Sequence, residues 1–86
     1  MKVKNVGIIP IKPHDGLIGF ANVVVNDSLY LSSIGIHKKR DGNGFRLTYP
    51  TKKVGNTNIS LFHPLDKELS KEIERAVFEK AVQIFM

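Results

Sequence analysis

The sequence predicts an α+β domain in which a small twisted antiparallel sheet of about five strands is followed by one C-terminal amphipathic helix. Two observations support this fold class. Between residues 3 and 62, short apolar and β-branched segments alternate with turn residues, which is typical of hairpins. From residue 65 onward, apolar residues recur at spacings of three and four, the period of one helix face. The length of 86 residues suits a single domain spanning residues 1–86.

Five segments have the composition of strands, and turn residues separate them. The predicted strands are residues 1–11, 17–25, 29–37, 45–49 and 59–62. Turns are predicted at residues 14–16, 26–28, 41–44 and 55–58. These turns contain Gly, Asn and Asp, which accept a positive φ at low cost. Pro10 and Pro13 donate no ladder hydrogen bond, so they limit how far the first strand can lie inside a sheet.

The third predicted strand changes its apolar phase half-way along. Leu29 and Leu31 share one side of the strand, whereas Ile34 and Ile36 share the other. A bulge or bend at Ser32–Ser33 would let both pairs face the core.

The predicted helix has a wide apolar face. That face consists of Leu65, Leu69, Ile73, Ala76, Val77, Ala81, Ile84 and Phe85, and Phe78 and Val82 widen it, as do residues 83–86. Asp66 is placed to cap the helix N-terminus, and Glu68 lies in its first turn. The excess apolar width predicts a homodimer, with the core and dimer contacts made by Ile73, Val77, Phe78, Ala81 and Phe85. The alternative is a monomer with one wide core.

Positive charge is concentrated in the first three quarters of the chain. The net charge is +5, but residues 1–65 carry nine basic and three acidic side chains, a net +6. Two basic clusters lie at opposite ends of the fourth predicted strand: Lys38, Lys39 and Arg40 at one end, and Arg46, Lys52 and Lys53 at the other. One interpretation is a surface that contacts the phosphates of nucleic acid. The alternative is that these are solvated turns that blunt exposed sheet edges.

The nature of any nucleic-acid contact is also constrained by the sequence. The aromatic stacking motifs typical of single-strand binders do not appear. We therefore expect phosphate contacts to dominate and affinity to fall steeply with salt.

The sequence argues against several other classes of protein. Cysteine is absent, which excludes disulfides and thiol chemistry and favours a reducing cytoplasm. No apolar run approaches the roughly 20 residues that cross a bilayer. His14, His37 and His63 are far apart, with no pair at helical metal-ligand spacing. We therefore expect no enzyme, metal, cofactor, small-molecule substrate or membrane partner.

Six landmarks in order resemble those of a known family. They are Val3–Val6, Asp15–Gly16 with Ala21, Ile34–Ile36, Gly44–Lys53, His63–Asp66 and Ile73–Val77. In this order and spacing the chain resembles the SpoVG family, the stage V sporulation and septation proteins of bacteria. The most specific stretch, Gly44–Lys53, resembles a family segment that ends in Pro-Ser-Lys-Arg or a close variant. Typical members have arginines after the Asp-Gly turn, where this chain has Leu17–Gly19.

The resemblance implies a dimeric bacterial cytoplasmic regulator that binds DNA and RNA and affects sporulation, septation and gene expression. It identifies Lys52 and Lys53 as nucleic-acid contacts. With the local basic cluster, the candidate nucleic-acid-binding residues are Lys38, Lys39, Arg40, Arg46, Lys52 and Lys53. The alternative is a non-catalytic protein-interaction module in septation or sporulation control that does not bind nucleic acid directly.

Overall fold

The computed structural model describes residues 2–42 and 44–85, apart from the side chain of Asn5. Its elements are β1 (Val3–His14), β2 (Leu17–Val25), β3 (Leu29–Lys38), β4 (Phe45–Thr48), β5 (Thr51–Val54), β6 (Thr57–Ser60) and α1 (Lys67–Phe85). Antiparallel strands followed by one helix confirm the α+β fold class. Met1, Asn43 and Met86, which belong to the first predicted strand, a predicted turn and the apolar end, lie outside the described residues.

The strands form two sheets rather than the single sheet that the sequence predicted. One sheet has the order β1-β2-β3-β4, and β5 pairs with β6 in a separate hairpin. The interpretation of Lys52 and Lys53 as turn residues was wrong, because both lie in β5, opposite Ile59 and Asn58. Every residue of this hairpin is exposed, so no alternation of apolar and polar residues marked β5 in the sequence. The actual turn is Gly55–Asn56, and β6 begins two residues earlier than expected.

Proline explains the position of β1. This strand is at an edge of the larger sheet, as Pro10 and Pro13 predicted. Its register with β2 slips beyond Pro10: Pro10 pairs with Gly19 and His14 with Leu17, so four steps of β1 oppose two of β2.

The turn between β1 and β2 is tight and is attached to β3. Asp15 and Gly16 have φ values of 50° and 90°, the left-handed region that two-residue hairpin loops require. His14, predicted as part of this turn, is instead the last residue of β1. The Lys38 N–H donates to the Gly16 carbonyl at 2.9 Å, which fixes the turn beside the end of β3.

The predicted bulge in β3 is confirmed. Ala21 pairs with Ile34 and Val23 with Leu31, so two steps of β2 oppose three of β3. Ser33 has a φ of 64° at this point. As a result Ile34 and Ile36 are fully buried, and Leu31 also packs against the core. The expectation that Leu29 faces the core with Leu31 was wrong, since Leu29 is 56% exposed.

The core lies between the larger sheet and α1, whose backbone runs closest to β1. Its buried residues are Val3, Ile18, Ala21, Val23, Val25, Ile34, Ile36, Phe45, Ile73, Ala76, Val77 and Ala81. The predicted cap is confirmed, since the Glu68 N–H donates to Asp66 Oδ1 at 3.1 Å. Within the described ranges, no helix is both long and apolar enough to cross a membrane.

Much of the wide apolar face of α1 packs against the core of the same chain. Ile73, Val77 and Ala81 are fully buried. Phe78 and Phe85 pack on Phe45, with ring centroids 6.1 and 6.2 Å away. Val82 and Ile84 are the apolar residues of α1 that remain exposed in the monomer.

Candidate nucleic-acid interface

Four of the six predicted basic residues lie around one cleft. The cleft has a volume of about 620 Å³ and lies where β3 ends and β4 begins; it is lined by Asp15, Gly16, His37, Lys38, Lys39, Arg40 and Arg46. Antiparallel pairing creates it, because His37 is opposite Arg46 and Lys38 is opposite Phe45. This grouping corrects the sequence interpretation, which placed Arg46 with Lys52 and Lys53 at the other end of β4.

The loop between β3 and β4 holds its basic side chains beside the cleft. The Lys39 N–H donates to the Gly44 carbonyl at 3.1 Å, and the Gly42 N–H donates to the Lys39 carbonyl at 3.0 Å. These bonds close the connection, and Lys39 and Arg40 follow directly on from Lys38, the last residue of β3.

The electrostatics of the cleft favour an anion. Four basic groups and one carboxylate, that of Asp15, give the lining a net charge of +3 when His37 is neutral. The His14 ring lies 3.3 Å from the Asp15 carboxylate. Two basic side chains outside the cleft form ion pairs: Lys4 with Asp27, and Arg75 with Glu72 and Glu79.

His37 forms a polar wall of the cleft. Its Nε2 lies 2.9 Å from Thr48 Oγ1, at hydrogen-bond distance on the neighbouring strand. Burial lowers the pKa of His37 below 6.5, and the positive charge of Arg46 lowers it further. A Cβ at position 35 would lie 2.5 Å from Thr48 Oγ1, so Gly35 leaves the space that this contact occupies.

The sequence interpretation missed Asp15, Gly16 and His37 as parts of the cleft. Asp15 and Gly16 were recognised only as a turn, and His37 only as the end of a strand. Their proximity results from the pairing of Leu17 with His37, which places the first turn beside the end of β3. The hairpin pattern over residues 14–37 was the feature of the sequence that could have predicted this proximity.

Lys52 and Lys53 lie apart from this cleft, on the exposed β5–β6 hairpin. The base of the hairpin is fixed to the body of the protein. The Tyr49 and Phe62 rings meet edge to face, with centroids 6.1 Å apart, and the Leu61 N–H donates to the Pro50 carbonyl at 3.0 Å. The cleft and the hairpin are therefore two separate basic surfaces, one at each end of β4, which itself spans about 13 Å by strand rise.

Metal ligands are not grouped in the part of the chain that the structure describes. No cluster of three or more His, Asp or Glu side chains there could hold an ion.

Comparison with known proteins identifies the family. The SpoVG family model matches residues 1–82, nearly the whole chain. The chain belongs to the SpoVG family. No curated protein and no solved structure matches it significantly. Membership in the SpoVG family confirms the resemblance seen in the sequence and makes this a sporulation- or septation-related regulatory protein.

Proposed function

We propose that this SpoVG-family protein is a cytoplasmic, non-catalytic regulator that binds nucleic acid through its phosphates. The observation that carries the proposal is the cleft at the end of β3, where four basic side chains line one concave surface of net charge +3. Phosphate oxygens are the usual partners of such basic groups. A location in the bacterial cytoplasm, which is reducing, agrees with the absence of cysteine from the sequence.

The two basic surfaces have different parts in this proposal. Lys38, Lys39, Arg40 and Arg46 hold phosphates in the cleft, which β3 and β4 position. Lys52 and Lys53 on the hairpin add a second contact farther along the same backbone. Each phosphate neutralised releases condensed counterions, so both contacts contribute to the salt dependence of binding.

The test is a fluorescence-anisotropy titration of labelled DNA and RNA at 50 and 200 mM salt. We expect weaker binding at the higher salt, and a smaller salt slope in Lys38→Ala/Lys39→Ala and in Lys52→Ala/Lys53→Ala. Removing one phosphate contact reduces the slope by about 0.7–0.9. Lys67→Ala/Lys71→Ala, which removes two exposed lysines from α1, is the matched control and should bind like the wild type.

Failure of the folded protein to bind DNA or RNA at 50 mM salt would overturn this proposal. The alternative, a protein-interaction module with solvated basic surfaces, would then take its place.

Self-association belongs to the same proposal. Val82 and Ile84 on α1 are exposed, whereas the other apolar residues within α1 are packed against the core. Leu65, which the sequence placed on the apolar face, precedes α1 and is 91% exposed. A second copy that covers Val82 would bury apolar surface that the monomer leaves exposed and would double the basic surface that a nucleic-acid backbone meets.

A further inference from the structure

A second cleft with an apolar lining adjoins the basic one. It has a volume of about 410 Å³ and is lined by Ile11, Pro13, Gly16, Ile18, Lys38 and Phe85. Its volume is within the range of about 300–1,000 Å³ that is usual for small-molecule sites. Apart from Lys38 and Gly16, each residue in this lining presents an apolar side chain.

The irregular end of β1 creates this space. Between Pro10 and His14 the register with β2 slips by two residues, so Ile11 and Pro13 have no regular partners opposite them. Gly19 leaves room for the Phe85 ring, because a Cβ at position 19 would lie 3.2 Å from Phe85 Cζ. The apolar cleft therefore has a proline ring and a phenylalanine ring among its walls.

The two clefts share Gly16 and Lys38. The hydrogen bond from the Lys38 N–H to the Gly16 carbonyl, 2.9 Å long, fixes the boundary between them. A ligand that fills both must carry an anionic group and, next to it, a compact apolar or aromatic group. A nucleotide within a strand has this arrangement, since its phosphate and its base are joined through one sugar.

We propose that the apolar cleft receives an unpaired base while the neighbouring phosphate lies in the basic cleft, so that the protein prefers single-stranded nucleic acid to duplex. This inference rests on the proposed nucleic-acid binding. In a duplex the bases are paired and stacked, and only the phosphates would reach the protein. In a single strand the base can leave its neighbours and pack between Pro13 and Phe85.

The experiment compares four labelled ligands with the full-length protein by anisotropy: a 12-nucleotide single strand, a duplex of the same sequence, an abasic strand with the same number of phosphates, and a mononucleotide. We expect the single strand to bind about tenfold more tightly than the abasic strand, the usual contribution of one stacked base. The duplex should behave like the abasic ligand, and the mononucleotide should bind much more weakly than the strand.

Two variants separate the base contact from the phosphate contact. Ile11→Ser should bring the affinity for the single strand down to that for the abasic strand, with abasic binding unchanged. Ile9→Ser is the matched control, because Ile9 is an exposed isoleucine of β1 that lines neither cleft. If Ile11→Ser does not fold, Pro13→Ser at the exposed end of β1 serves the same purpose.

The outcomes distinguish this inference from the proposal on which it rests. Equal affinity for single strand, duplex and abasic strand, weakened throughout by Lys38→Ala/Lys39→Ala, would overturn the base site and leave phosphate binding intact. A mononucleotide that binds as tightly as the strand would overturn recognition of a strand. No binding of any ligand would overturn both proposals.

Discussion

At the scale of single residues, His37 should give the cleft its pH dependence. Burial, followed by Arg46, lowers its pKa below 6.5, so the native protein keeps this ring neutral where the unfolded chain binds a proton. The stability that comes from the neutral ring is complete above pH 6.5 and is lost as the pH falls from 6.5 through the lowered folded-state pKa. A bound phosphate favours the protonated ring and so opposes the lowering of the His37 pKa. Phosphate binding and protonation of His37 therefore favour each other.

We expect nucleic-acid affinity to rise roughly fivefold between pH 7.5 and pH 5.5 at constant ionic strength, the effect of about 1 kcal/mol from one added charge in a hydrated cleft. His37→Gln should lose most of this increase, and anisotropy at the two pH values measures it. His63→Gln is the control, because His63 is exposed and lines neither cleft. An increase that is lost in His63→Gln and kept in His37→Gln would contradict the assignment of the effect to His37.

The sequence predicted the basic residues of the site but not their grouping. Lys38, Lys39 and Arg40 were identifiable as a run of charge. Arg46 joins them because β3 and β4 pair with His37 opposite Arg46, and several alternative registers have the same turn composition. Charge is a property of the residue, whereas proximity depends on which strands pair and in what register.

At the scale of elements, the start of α1 depends on Asp66. Its carboxylate accepts the Glu68 N–H, which has no partner within the helix. We expect Asp66→Ala to lower the free energy of unfolding by about 1 kcal/mol, and Asp66→Asn to keep most of it, because both Asp and Asn cap well. Urea denaturation followed by circular dichroism measures both. An equal loss in the two variants would show that charge at the helix end, rather than the capping hydrogen bond, is what matters.

Elements with one buried side were predicted most accurately. The observed bounds of β2 are the predicted ones at both ends. Ala21, Val23 and Val25 alternate toward the core, and this alternation marked the strand in the sequence. The bulge in β3 followed from a change of apolar phase at Ser32–Ser33. The β5 strand was missed because all of its side chains are exposed, and period-two patterning arises only where one face is buried.

At the scale of the whole molecule, Val82 leaves exposed apolar surface on α1 that a second copy of the chain would cover. We expect a dimer in sedimentation velocity for the wild type and a monomer for Val82→Glu, because a carboxylate at an apolar contact loses its hydration without a partner. Val54→Glu on the hairpin is the matched control, since Val54 is similarly exposed, and it should remain dimeric. Dissociation by Val54→Glu alone would move the contact between subunits to the hairpin.

The separation of β5 and β6 from the larger sheet has a consequence for how the two basic surfaces meet a ligand. The hairpin is held at its base by Tyr49 and Phe62, while none of its strand residues is buried. Its opening therefore costs only a fraction of the global unfolding free energy, and its amide hydrogens exchange by local fluctuation. Lys38 and Arg46 are preorganised by the sheet, whereas Lys52 and Lys53 adjust to the path of the backbone and lose conformational entropy when they bind.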